Sequence, residues 1–111
     1  MRGWGSSKYG NKITITSDGQ KFHSKKEAKD WEELKILERA GAISCLRRQV
    51  KIPITSHGEP ICNYIADFTY IVNGDSKITI HETKGVWTQT ARLKWKLLKA
   101  QLGDTVIYKV T

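Results

Sequence analysis

Apolar and polar residues alternate along two stretches in the middle of the chain, residues 44–54 and residues 61–72. A period of two is typical of β-strands. A third strand is predicted over residues 77–84, after the turn sequence Asn73-Gly74-Asp75. Because side chains alternate along a strand, the second stretch is expected to place Cys62, Tyr64, Ala66, Phe68 and Tyr70 on one face and Ile61, Ile65, Asp67 and Ile71 on the other. In the third strand, Ile78, Ile80, Glu82 and Lys84 are expected to share a face.

A first amphipathic helix is predicted between Ser24 and Gly41. Ser24 is a favourable N-cap, Glu27 stands three residues later as in a capping box, and a glycine commonly ends a helix. Trp31 and Leu34 define the inward direction, and Glu27 lies on the same stripe. Glu27 therefore has two possible roles, as a capping residue and as a member of a site beneath the helix.

A second helix is predicted from Thr88 to Leu102, stopped by Gly103. Its apolar residues form one stripe of Ala91, Trp95, Leu98 and Leu102, and an opposite stripe of Leu93, Leu97 and Ala100. Two apolar stripes indicate that a helix is covered on two sides. We therefore hypothesise that the second stripe forms a homodimer interface.

The predicted elements follow the order αβββαβ, preceded by a small hairpin around Ser17-Asp18-Gly19 and completed by a strand over residues 105–110. This order indicates an α/β (α+β) fold, with a mixed sheet flanked by helices and the last strand parallel to the third. Residues 1–10 are predicted to be a flexible arm and residues 11–111 a single domain.

The charge of the chain indicates a polyanionic partner. Its 111 residues include 19 Lys and Arg against 11 Asp and Glu, a net charge of +8, which favours nucleic acid or an anionic membrane surface. No apolar run approaches the ~20 residues of a membrane span and no signal peptide is evident, so a cytoplasmic protein is expected. The second helix contains no acidic residue. Its cations, and one glutamine in the first long strand, are the candidate nucleic-acid contacts: Arg92, Lys94, Lys96, Lys99 and Gln49.

Asp67, Glu82 and Lys84 suggest phosphodiester chemistry. Hard cations such as Mg²⁺ or Mn²⁺ bind carboxylate and carbonyl oxygens, which Asp67, Glu82 and the backbone of Thr83 can supply. An ammonium from Lys84 would lie near the scissile phosphate and the attacking water. Glu27 could reach the same cluster directly or through a water molecule. The alternative is an ordinary cross-strand charge pattern.

These residues resemble the signature of the PD-(D/E)xK nuclease superfamily, here Asp67 followed by Glu82-Thr83-Lys84. The wider sequence is similar to a family of small phage and prophage endonucleases, in residues 22–28, 49–50, 64–68, 82–85 and 92–96. The resemblance implies a restriction-endonuclease-like αβββαβ core, an acidic cluster of Glu27, Asp67 and Glu82, and a catalytic lysine, Lys84. It also implies a Mg²⁺-dependent DNA endonuclease, of the Holliday-junction-resolvase type for a chain this small, acting in the host cytoplasm if phage-encoded. The alternatives are a non-catalytic nucleic-acid-binding module and a phage protein that binds a host protein.

Overall fold

The computed structural model describes residues 13–83 and 87–111. Within them the elements are β1 (Thr14–Ile15), β2 (Lys21–Phe22), α1 (Lys25–Arg39), β3 (Ile43–Ser56), β4 (Glu59–Val72), β5 (Thr79–Glu82), α2 (Gln89–Leu102), a 3₁₀ turn (Gly103–Thr105) and β6 (Ile107–Val110). The αβββαβ order after an N-terminal hairpin is confirmed. The predicted arm, residues 1–10, lies outside the described residues, and so does Lys84.

The main sheet is mixed, as predicted. Its strand order is β3-β4-β5-β6, with antiparallel pairs between β3 and β4 and between β4 and β5. The last strand, β6, pairs parallel to β5 after the crossover through α2. Ile80 of β5 packs with Leu98 of α2, whereas the neighbouring residue His81 contacts Phe68 in the core beneath α1. The two helices therefore cover opposite faces of β5.

Local signals set the ends of α1. The Ser24 hydroxyl accepts a hydrogen bond from the Glu27 amide at 3.2 Å, and Gly41 follows the helix with a left-handed φ of 81°. The helix buries Ala28, Trp31 and Leu34, which pack against Phe22, Ile43, Phe68 and Tyr70. We call this set the first core.

The second helix, α2, buries fewer side chains than α1. The Thr88 hydroxyl accepts a hydrogen bond from the Ala91 amide at 3.0 Å, and Leu98 is the single fully buried residue of α2. Leu98 packs in a second core with Ile54, Tyr64, Ala66 and Ile80, joined by partly buried residues that include Trp95 and Leu97. The predicted second stripe is therefore divided. Leu97 packs against its own chain, while Leu93 is 58% exposed and Ala100 is exposed.

Two strand predictions need correction. Among the described residues of the predicted third strand, Thr79–Glu82 pair with a neighbouring strand, so the strand begins after residues 77 and 78 and ends before Thr83. The even-numbered residues of β4 also fail to share one environment. Tyr64 and Ala66 belong to the second core, whereas Phe68 and Tyr70 belong to the first.

The change occurs at one level of the β3–β4 hairpin. Asp67 and Gln49 lie between the pairs Arg48–Phe68 and Val50–Ala66. Gln49 has a φ of 53°, a left-handed conformation that is rare for a residue with a side chain. Such a residue interrupts the regular alternation of a strand, so the buried side chains before and after this level pack against different helices.

Candidate active site

The ladder between β4 and β5 stops at Asp67 and Glu82. The last paired positions before them are Phe68 and His81. At the next level, main-chain amides bond to carboxylates of the neighbouring strand instead of to its carbonyl groups. The Asp67 amide donates to Oε2 of Glu82 at 3.1 Å, and the Thr83 amide donates to Oδ2 of Asp67 at 2.8 Å. The two carboxylates that the sequence singled out thus adjoin each other, held by main-chain amides.

This pair is enclosed by the protein. Asp67 is 7% exposed and Glu82 is fully buried. Tyr64 lies beside them, and burial raises the pKa of its hydroxyl, with the negative charges of Glu82 and then Asp67 adding to the effect. Tyr64 therefore stays protonated at any physiological pH. Two buried carboxylates repel each other unless a cation or hydrogen-bond donors compensate them.

A second carboxylate network lies on the α1 side of β5, centred on Asp30. Its Oδ2 accepts hydrogen bonds from the hydroxyls of Thr83 at 2.5 Å and Thr111 at 2.7 Å. His81 Nε2 lies 3.7 Å from the same oxygen, and His81 Nδ1 lies 2.7 Å from the Tyr70 hydroxyl. Burial lowers the pKa of His81, against the opposing effect of Asp30. Thr83 is consequently fixed twice, by its amide to Asp67 and by its hydroxyl to Asp30.

The sequence did not identify Asp30 or Tyr64. Asp30 carries a usable signal, since it stands three residues after Glu27 and so lies on the same side of the helix. Tyr64 carries none. Regular alternation would place it on the face opposite Asp67, yet in the structure it lies close enough for the charges of both carboxylates to raise its pKa.

Glu27 is half-buried at the start of α1, and its Oε2 accepts a hydrogen bond from Gln49 Nε2 at 3.3 Å. Two predicted site residues therefore contact each other. Across residues 13–83 and 87–111, however, no three His, Cys, Asp or Glu side chains lie close enough together to hold a metal ion. In the described chain, Asp67 and Glu82 form a pair, and Glu27 does not complete a three-acid group with them. Lys84 falls outside the described residues.

A model of the family described as Protein of unknown function (DUF1064) matches residues 6–110. The chain belongs to the DUF1064 family. No curated protein and no solved structure matches it. The matched span includes the hairpin, both helices and every strand of the described DUF1064 structure, so the carboxylate pair and the Asp30 network both lie inside the family domain.

The donor set of this DUF1064 chain is of the type that hard cations bind. Mg²⁺ is commonly bound by one or two carboxylates, with water filling the remaining positions of its octahedron. Asp67 and Glu82 provide two carboxylates of that kind, and the Thr83 carbonyl is the next oxygen along the chain. Soft metals prefer thiolates, and both cysteines, Cys45 and Cys62, are free thiols elsewhere in β3 and β4.

Within the described chain, no ion pair joins a cation of α2 to an acid. The ion pairs among the described residues are Lys35–Glu38 and His81–Asp30, and neither involves α2. Three of its four cations are exposed and Lys94 is half-buried: Arg92, Lys94, Lys96 and Lys99. The Lys99 ammonium lies 5.5 Å from the centre of the Tyr108 ring. No helix in the described part of this DUF1064 chain is both long and apolar enough to cross a membrane.

Proposed function

We propose that this chain is a Mg²⁺- or Mn²⁺-dependent endonuclease of the PD-(D/E)xK type that hydrolyses phosphodiester bonds in DNA. The observation that carries the proposal is the enclosed Asp67–Glu82 pair. Its two carboxylates adjoin at the point where β4 and β5 stop pairing, in a chain of net charge +8. Burying two acids is costly, and the gain of a cation site is a physical reason for it.

Each proposed site residue has a separate role in this mechanism. A bound Mg²⁺ would supply charge compensation for the phosphate and lower the pKa of a water. Asp67 and Glu82 would hold the cation, with the Thr83 carbonyl as a further oxygen. The two hydrogen bonds on Thr83 fix the chain immediately before Lys84. Lys84 would place its ammonium at the scissile phosphate, and Glu27 would act through a water molecule.

The surface of α2 supports DNA as the substrate class. Four cations without acidic partners in the described chain, Arg92, Lys94, Lys96 and Lys99, suit contacts to backbone phosphates. We further propose a phage-derived enzyme of the host cytoplasm that acts on branched or recombination DNA, by likeness to small resolvases. Leu93 and Ala100, the exposed part of the second stripe, would contact another copy in a homodimer. A light-scattering mass equal to one subunit would exclude that dimer.

The decisive experiment is a cleavage assay on linear, nicked, flapped and four-way DNA with EDTA, Mg²⁺ or Mn²⁺. Cleavage is expected with either metal and not with EDTA. Asp67→Asn keeps the shape of the side chain and is expected to abolish cleavage, while Asp75→Asn, in the exposed turn before β5, is the matched control. The proposal fails if no DNA is cut with either metal, or if Asp67→Asn cuts as well as the parent chain.

One observation favours a second candidate, a non-catalytic DNA-binding module. The described residues supply a pair of neighbouring acids rather than a group of three. A module of this kind would bind DNA equally well with EDTA and with Mg²⁺ and would cut none of the four substrates. Binding and cleavage measured on the same samples separate the two candidates.

A further inference from the structure

A polar cavity of about 440 Å³ opens beside the N-terminal end of α1. It is distinct from the contacts of the Asp67–Glu82 pair and from the basic face of α2. Its lining is formed by Lys21, His23, Ser24, Glu27, Arg48 and Gln49. Two of these residues are permanent cations and one is an acid, so the cavity carries a positive balance next to the proposed nuclease centre.

The strained backbone at Gln49 shapes this cavity. Consecutive strand residues normally point to opposite faces, yet Arg48 and Gln49 both line it. The left-handed φ of Gln49 accounts for this departure. Such a conformation costs on the order of 1–3 kcal/mol and is found at sites where a particular side-chain arrangement is needed.

Arg48 is held within the lining by a ring contact and two hydrogen bonds. Its guanidinium carbon lies 3.7 Å from the centre of the Phe22 ring. Its Nη1 donates to the Lys21 carbonyl at 3.1 Å and to Gln20 Oε1 at 3.3 Å. These contacts are to a ring and to neutral oxygens, and the ion pairs of the described residues include neither Arg48 nor Lys21. The protein thus orders a guanidinium without neutralising it.

We propose that this cavity binds a backbone phosphate of the DNA. An ordered, planar guanidinium with a lysine at its side is the usual protein arrangement for a phosphate oxygen pair. Gln49 links the cavity to the centre, because it contacts Glu27 and lies at the strand level of Asp67. The bound phosphate is therefore a neighbour of the scissile one, and the cavity sets the register of the strand. This inference rests on the proposed function for the identity of the ligand.

The test is DNA binding by the whole chain in EDTA, where no cleavage is needed. A fluorescent duplex is titrated by anisotropy at several salt concentrations. Each phosphate contact contributes close to one to the slope of log affinity against log salt. Arg48→Ala and Lys21→Ala are each expected to weaken binding about fivefold and to reduce the slope by about one. Arg39→Ala, an exposed arginine at the other end of α1, is the matched control and is expected to change neither as much.

The outcomes separate this inference from the nuclease proposal. If Arg48→Ala and Lys21→Ala change binding no more than Arg39→Ala does, the cavity does not bind phosphate, even when the chain cuts DNA. If the slopes fall as expected but the parent chain cuts nothing, the cavity stands and the nuclease proposal fails. A parent chain that does not bind the duplex at low salt overturns the cavity. Should Arg48→Ala misfold, Lys21→Ala and the charge reversal Lys21→Glu decide, since Lys21 is exposed.

Discussion

Two acidic networks meet at the end of β5, and they differ in the hydrogen-bond donors that their carboxylates accept from. On the α1 side, the donors to Asp30 are side chains, the hydroxyls of Thr83 and Thr111. In the Asp67–Glu82 pair, by contrast, each carboxylate accepts a hydrogen bond from a main-chain amide, that of Thr83 for Asp67 and that of Asp67 for Glu82. Asp67 and Glu82 are buried and Asp30 is half-buried, and Thr83 belongs to both networks.

The difference indicates separate roles. A carboxylate surrounded by side-chain donors is part of a structural clamp, because its removal leaves those donors without an acceptor. A pair of carboxylates on main-chain amides can keep those hydrogen bonds when its charge is removed, since an amide oxygen also accepts. We therefore expect charge removal to affect chemistry at Asp67 and Glu82, and truncation at Asp30 to affect stability.

The largest expected effect is on cleavage. Glu82→Gln keeps an oxygen for the Asp67 amide but removes the charge that would bind the cation. Loss of several kcal/mol of charge stabilisation corresponds to a cleavage rate lower by about a thousandfold. Asp30→Asn is the matched change in the other network and should slow cleavage far less. Single-turnover cleavage in Mg²⁺ measures both, and equal losses would remove the distinction between the networks.

Truncation of Asp30 is expected to lower the free energy of unfolding. Asp30→Ala leaves the buried Thr83 hydroxyl without its acceptor, at a cost of about 1–3 kcal/mol in the free energy of unfolding. Glu33→Ala, on an exposed position of the same helix, is the control and should change it by less than about 0.5 kcal/mol. Urea unfolding followed by circular dichroism gives both values. A cost at Asp30 no greater than at Glu33 would show that the network does not clamp β5.

Near the ordinary pKa of histidine, the pH dependence of stability reports on His81, which lies on the Asp30 side. Because burial lowers the pKa of His81 in the folded chain, protons bind the unfolded chain more readily. The free energy of unfolding should therefore be level above about pH 7 and fall as the pH drops below the unfolded value of about 6.5. The slope from this group is at most about 1.4 kcal/mol per pH unit. His81→Asn should flatten it between about pH 5.5 and 7.5, as urea unfolding repeated across that range measures.

The smallest expected effect concerns Gln49, which donates a hydrogen bond to Glu27 and lies beside Asp67 in the β3–β4 pairing. Gly tolerates a left-handed φ, so Cys45→Gly, at φ 56° in the same strand, is expected to alter the unfolding free energy by less than about 1 kcal/mol. Gln49→Gly should be less favourable than that control, because it also removes the hydrogen bond to Glu27. Thermal unfolding of the two variants compares them. Identical changes would show that the Gln49–Glu27 contact contributes nothing to stability.

Local chemistry made much of the fold predictable. Ser24, Thr88, Gly41 and Gly103 mark helix ends through their own side chains or backbone freedom, and each stands at or next to a helix end in the structure. The length of β5 was less predictable, since pairing with two other strands decides it. Ile78 continues the apolar pattern but is 47% exposed and lies before the paired residues.

The site was predictable in part for the same reason. Asp67 and Glu82 end apolar rows on adjacent strands, so their approach follows from strand pairing. The contacts of Asp30 are long-range, reaching residues 53 and 81 positions away. Glutamine has no special preference for left-handed backbone, so nothing local marks Gln49 as the place where the alternation changes. Tyr64 is not marked either, because regular alternation would place it on the face opposite Asp67.

Dividing the buried side chains between two cores has a consequence for how the molecule opens. α1 contributes three buried residues to its core, whereas α2 contributes one, Leu98, with partly buried residues such as Trp95 and Leu97 beside it. Segments with few buried contacts open at lower free energy than the rest of a fold. Amide hydrogens of α2 should therefore exchange with solvent deuterium faster than those of α1, as a separate cooperative unit. The helix proposed to meet DNA is thus the one that can adjust to it at least cost.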